Sequence, residues 1–179
     1  MNVFKDWKNL YNWKNPLNWW RLPGCWCRAI KYAVQRATRG FSDKDCWDLS
    51  HFYLDVLSDS LKHFAKNLTG CPTDFYDPSK PGDEGWKWRV MLLNVAEHFD
   101  EAHEDRCSWK NPYEDEYLED FHMNFEKTPD GYYKLNEEKA DEELYEKYSD
   151  FEKRKTAWRN GELKIGLDML KEVFWHLWD

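Results

Sequence analysis

A chain of 179 residues, 41% of them hydrophobic and with a net charge of −8, can bury one hydrophobic core without metal or disulfide staples, and we read residues 1–179 as a single domain. No run of about eighteen apolar residues occurs, so nothing spans a bilayer, and residues 1–7 lack the apolar stretch of a secretory signal. Five cysteines with no CxxC pair suit free thiols in a reducing compartment better than a disulfide framework.

The opening segment carries Trp7, Leu10, Tyr11, Trp13, Trp19 and Trp20 and is broken at Asn15-Pro16 and Pro23-Gly24, which predicts a short helix and then an irregular aromatic stretch. Trp26 to Thr38 reads as a helix closed by Arg39-Gly40. Ser42 with Asp45 three residues on forms an N-terminal cap. The apolar stripe Trp47, Leu54, Leu57, Leu61, Phe64 and Leu68 then predicts a central core helix over 42–68. Prolines and glycines make 70–83 a loop.

Asp83 is placed to cap a further helix whose buried face is Trp88, Leu92, Val95, Ala96 and Phe99. Pro112 suits the first turn of a short helix carrying Tyr117, Leu118 and Phe121. Alternation at Met123, Phe125 and Lys127, the turn Pro129-Asp130-Gly131, and alternation at Tyr133 and Leu135 predict a small β-hairpin near 123–135. Acids following Asn136 mark a helix start, with the stripe Leu144, Tyr148, Phe151 and Trp158. Asn160-Gly161 is expected to interrupt it before a last helix through Leu163, Leu167, Leu170, Phe174 and Leu177. The expected fold is mainly α, a compact helical bundle.

Twelve Trp, ten Tyr and ten Phe put aromatic rings where aliphatics are usual, and most of the Trp are expected in the core. Charge is uneven. Residues 1–40 hold eight bases and one acid, a net +7, whereas residues 97–152 hold twenty acids and six bases, a net −14. A pI near 5.3 argues against broad duplex DNA binding.

The densest polar stretch joins the second and third expected helices. Arg36, Arg39, the Gly40 turn, and the first-turn N–H groups at Ser42 and Asp45 could together hold an anion, with Trp47 as a stacking surface. A nucleotide-like ligand has that chemistry. The plainer reading is that Gly40 and the Ser42–Asp45 pair are caps and the arginines pair with acids.

His51, Asp55, Asp59 and His63 on one helix, with His98, Glu101 and His103 on another, offer metal-ligating groups. Steps of four rotate about 40° each, so His51 and His63 end about 120° apart and do not share one metal. No HExxH, GxSxG or phosphate-loop motif occurs. No cofactor, metal or catalytic residue is assigned.

The pattern Arg36-Ala37-x-Arg39-Gly40-Phe41-Ser42-x-x-Asp45-x-Trp47, followed by the leucine and aromatic helix, the Pro/Gly loop, the Trp88–Phe99 helix and the ending Phe174-Trp175-His176-Leu177-Trp178-Asp179, resembles uncharacterised accessory proteins of tailed bacteriophages. The likeness follows the order of elements over most of the chain and is sharpest at the RGFSD turn and the terminal Leu-Trp-Asp. The resemblance implies a phage protein in the host bacterial cytoplasm, with no catalytic residues to carry over.

The first expectation is therefore a non-enzymatic anti-defence binding protein that captures a nucleotide-like host immune signal through Arg36, Arg39, Gly40, Ser42, Asp45 and Trp47. A metal-assisted hydrolase of a nucleotide or phosphoester, using the histidine and acid set, is the second. The third is an inhibitor that binds a host protein through its acidic face. No membrane is expected among its partners, and a homo-oligomer is compatible with the aromatic stripes.

Overall fold

The computed structural model describes residues 22–120, 123–127, 129, 132–137 and 142–177. Helices α1 (Leu22–Arg39), α2 (Leu49–Lys66), α3 (Trp86–Ala102), α4 (Glu114–Asp120) and α5 (Glu142–Val173) dominate, so the fold is mainly α. Strands β1 (Met123–Lys127) and β2 (Tyr133–Glu137) pair antiparallel between α4 and α5, with Phe125 opposite Leu135. The short helix and aromatic stretch expected before residue 22, the Phe121 end of the fourth helix and the terminal Leu-Trp-Asp fall wholly or partly outside the described residues.

The core lies where α3 packs between α2 and α5. Leu54, Leu61 and Ala65 of α2 meet Trp88, Leu92, Val95, Ala96, Phe99 and Ala102 of α3, and Leu170 and Val173 of α5 close the cluster. The spacing of the apolar residues in α3 places all its predicted inward residues on one buried face. Each large side chain fully buried there contributes roughly 1.5–3 kcal/mol. Trp88, whose ring lies tilted against Phe75 at 4.8 Å, is the one fully buried tryptophan among the described residues, and Trp86 and Trp109 are half-buried. Trp26, Trp47, Trp158 and Trp175 are exposed, so an aromatic core does not describe this part of the molecule.

Several boundaries differ from the reading of the sequence. Pro23 lies in the first turn of α1 instead of ending a preceding segment, where its fixed φ fits a helix start. The Ser42–Asp45 box closes a 3-10 turn, Asp45–Asp48, and α2 begins only at Leu49, capped by Asp48 through the His51 amide at 3.3 Å. Trp47 sits in that turn, off the α2 stripe and 92% exposed. Asp83 does not cap α3 with its side chain. It pairs with Arg89 instead, and Gly85 precedes the helix. Asn136 lies in β2, and Phe174 falls beyond the end of α5 and is exposed.

The largest difference is in α5, which runs unbroken through Asn160-Gly161 for 32 residues. One glycine in a helix costs about 1 kcal/mol, less than α5 gains by packing on α3. The two α5 glycines have different surroundings. A Cβ at Gly161 would meet nothing within 4 Å, whereas one at Gly166 would lie 3.2 Å from His98 Cβ and 3.2 Å from Phe99 Cε1. Gly161→Ala is expected to raise stability by about 0.5–1 kcal/mol in urea unfolding. Gly166→Ala should lose that gain to overlap with α3, and equal effects of the two would contradict the close approach.

Candidate ligand-binding site

Asn94, Glu97, His98 and Glu101 follow one another along α3 at spacings of three and four, the period that sets side chains on one helix face. Facing them on α5 are Trp158, Glu162 and Met169, and the loop after α3 adds Ser108. These eight residues line an open cavity of about 350 Å³, at the small end of the range used for small ligands. Gly166, lacking a side chain, lets α5 approach α3 at this point.

Two hydrogen-bonded groups shape the walls. His98 Nδ1 lies 2.5 Å from Glu162 Oε2, and Glu162 is buried. Glu101 Oε2 accepts from the Ser108 hydroxyl at 2.7 Å, the Ser108 amide at 3.1 Å and Trp158 Nε1 at 3.4 Å. Burial alone would raise the Glu101 carboxyl. The Ser108 and Trp158 donors outweigh it and hold the group below the ordinary glutamate value. Trp158 is itself fixed by stacking on Trp109 at 5.5 Å, and Trp109 meets Phe151 at 5.8 Å.

The lining therefore carries three carboxylates, one imidazole and an indole, and no Lys or Arg. Carboxylates beside an aromatic ring suit a cation, which gains both charge pairing and attraction to the ring.

The turn singled out in the sequence is built differently from the anion site expected of it. Arg36, 4% exposed, donates Nε to Asp45 Oδ2 at 2.9 Å and Nη2 to Oδ1 at 2.5 Å. Asp45 Oδ2 also accepts from the Ser42 amide at 2.7 Å and hydroxyl at 2.8 Å. Burial would raise this carboxyl, but Arg36 and Ser42 bring it down to about 2. Arg39 pairs with Asp43 and donates Nε to the Phe41 carbonyl. Gly40, at φ 86°, makes the left-handed turn that joins the two sides.

The structure thus brings Arg36, Ser42 and Asp45 together, and the anion they hold is the protein's own Asp45. Trp47 projects into solvent, and none of these residues lines the cavity between α3 and α5.

The histidine and acid set divides among separate roles. His51 stacks on His103 at 4.5 Å. Asp55, Asp59 and Asp100 all bond Arg106, and Asp100 also takes Ser58 and Lys62. His63 is exposed on α2. Among the described residues no three His, Cys, Asp or Glu side chains are placed to hold a metal ion.

Sequence reasoning missed Glu162, Trp158, Ser108 and Asn94 as a group. One signal was present: Glu162 occupies a position of the inward stripe Lys155, Glu162, Gly166, Leu170 and Val173, where an acid asks for a buried partner. No protein-family model, curated protein or solved structure matches the chain.

Proposed function

We propose that this is a binding protein, not a catalyst, and that it captures a cationic group, a lysine or arginine side chain of a partner protein, in the cavity between α3 and α5. The observation that carries this reading is the placing of Glu97, Glu101, Glu162 and Trp158 around one cavity with no basic residue in its lining. Capture is favoured over catalysis because the Ser108 amide and hydroxyl, donors that could steady a developing negative charge, both point at Glu101. In the setting implied by the phage resemblance, the partner would be a host protein met by the acidic face.

The test is thermal unfolding and calorimetry with short lysine and arginine peptides, their acetylated or citrulline counterparts, and a panel of linear and cyclic nucleotides. The charged peptides should raise the melting temperature, by an amount equivalent to about 2.7 kcal/mol at a hundred times Kd. The neutral counterparts should not. Glu97→Gln, which alters an exposed side chain, should weaken binding about tenfold, a loss typical of one hydrogen-bonded charge. Equal response to charged and neutral peptides overturns the proposal.

A second reading, capture of a nucleotide-like ligand at the Arg36–Trp47 turn, rests on the exposed Trp47 ring, which is available for stacking on a base. A nucleotide-induced shift that survives Glu97→Gln and is lost in Trp47→Ala and Arg39→Ala would move the function to that turn.

A further inference from the structure

The loop after α3 begins where two histidine rings meet. His103, the residue at which α3 ends, is buried, and His51 from the first turn of α2 stacks on it with ring centroids 4.5 Å apart. His103 Nδ1 accepts a hydrogen bond from the Asp105 backbone amide at 3.1 Å. A ring nitrogen that accepts carries no proton, so His103 is the neutral tautomer with its proton on Nε2. That Nε2 makes no hydrogen bond among the described residues, and Asp55 Oδ1 lies 3.5 Å from it.

Charged groups face the pair from every side. Asp48, in the turn before α2, lies 2.5 Å from His51 Nδ1, and α2 itself supplies Asp55. The loop supplies Glu104, Asp105 and Arg106, with Glu104 3.6 Å from His51 Nε2. From α5, Arg159 pairs with Glu104 at 3.6 Å and donates Nε to the Ala102 carbonyl. Asp55 is shared, since it also takes Arg106 Nη2 at 2.6 Å, and Arg106 is bonded in turn to Asp59 and Asp100. Burial opposes a charge on His103, and His51 and Arg106 add to that opposition. Asp55 and Asp105 favour the charge and do not prevail, so the ring titrates below the ordinary histidine value of 6.5.

A proton added to this ring goes to the Nδ1 lone pair. It turns the acceptor of the Asp105 amide into a donor and sets two N–H groups against each other across 3.1 Å. The imidazolium also competes with Arg106 for Asp55. Both contacts belong to the loop 103–108, whose far end is fixed by the Ser108 amide and hydroxyl on Glu101. We propose that His103 is an acid-operated latch: neutral, it holds the loop 103–108 closed, and protonated at Nδ1 it releases that loop and with it the grip of Ser108 on Glu101. Acid thereby reshapes one wall of the α3–α5 cavity, whatever that cavity binds.

The test is hydrogen exchange on the full chain between pH 7.5 and 5, a window above the carboxylate range, with each amide's rate divided by its unstructured rate at the same pH. Protection of the Asp105, Cys107 and Ser108 amides is expected to fall below about pH 6.5 by up to about tenfold per pH unit, the limit for one proton. The α3 amides from Leu92 to Phe99 should keep theirs. This is the sign for a histidine whose value is depressed on folding: its contribution is present above the ordinary value and is lost as pH falls toward the folded one. His103→Asn, which keeps an acceptor near the place of Nδ1 and takes up no proton, should show equal loop protection at pH 7.5 and 5. A second readout needs no variant, since the carbon shifts of the wild-type His103 ring should titrate in step with the loss of protection. Constant wild-type protection over this window, a fall that the α3 amides share, or an equal fall in His103→Asn overturns the proposal. So does loss of loop protection at a pH where the His103 ring is still neutral.

Discussion

Replacing Arg106 by methionine is expected to lower the unfolding free energy by about 3 kcal/mol, seen as a melting temperature lower by roughly 6–12 °C for a chain of this size. Arg106 Nη2 bonds Asp55 at 2.6 Å, while Nη1 bonds Asp59 and Asp100, each at 2.9 Å. One guanidinium thus offsets three carboxylates where α3 and the loop after it meet α2. It is held in the charged form: burial opposes the charge, and the three aspartates more than compensate. Methionine keeps much of the length and leaves those carboxylates facing one another, with Lys62 still on Asp100.

The sign with pH is fixed by Asp100. Burial would raise its carboxyl, but Lys62, Ser58 and Arg106 hold it below the ordinary aspartate value. Its contribution is therefore present above a pH of about 4 and is lost as pH falls below that. The deficit of Arg106→Met should be largest near neutrality and should shrink in acid, where protonation relieves the repulsion. A deficit under about 1 kcal/mol at pH 7, the range of a solvent-screened surface pair, would refute the role given to Arg106.

Asp45→Asn should act locally. Asp45 holds the buried Arg36 by two hydrogen bonds and closes the turn through Ser42, so neutralising it removes the buried charge pair between α1 and the turn before α2 and leaves only the exposed pairs of Lys31 and Arg39 with Asp43. Because α1 packs on none of the other helices, the α2–α3–α5 core should keep its melting temperature. Amide exchange over residues 22–45 should accelerate about 100-fold, the equivalent of a local loss near 3 kcal/mol. Wild-type exchange rates in that segment would sink the prediction. The wild type should show a related release in acid. With the Asp45 carboxyl at about 2 against an ordinary aspartate value near 4, about 2 kcal/mol of stability is present above pH 4 and is lost as pH falls toward 2.

The periodic helices were the legible part of this fold. The stripe of α3 is long and regular, and its inward residues follow from a 3.6-residue period alone; in α2 the period finds the buried Leu54 and Leu61 and the half-buried Leu57 and Phe64, while the small Ser58 and Ala65 fill the other buried positions and Leu68 lies past the helix end. The interruption expected at Asn160-Gly161 gave a local preference more weight than the α5–α3 contact that overrides it. Trp47 was misplaced for a related reason: its spacing continues the α2 stripe, but the Ser42–Asp45 box winds a 3-10 turn there and rotates it outward.

The candidate site was less legible, because its contacts join distant parts of the chain. His98 and Glu162 are 64 residues apart, and Trp158 and Glu101 are 57 apart. The two α3 members, His98 and Glu101, could be singled out by type. Their partners could be found only once α5 was known to be continuous. The polar turn from Arg36 to Trp47 drew attention for its density of charged groups, and that density is what lets it satisfy itself.

The continuity of α5 also has a mechanical consequence. Thirty-two residues make a rod of about 48 Å, nearly twice the length of α2 or α3. Its first half is gripped by the segment after α3 and by α4: Asn111 bonds the Tyr148 carbonyl and Glu152, and Tyr117 stacks on Tyr148 at 4.3 Å. Its second half carries Glu162 into the cavity wall and Leu170 and Val173 into the core. A stiff rod held by α4 and the segment after α3 along its first half, and by the core along its second, cannot slide or tilt freely, so the Glu162 carboxylate stands at a set distance from His98.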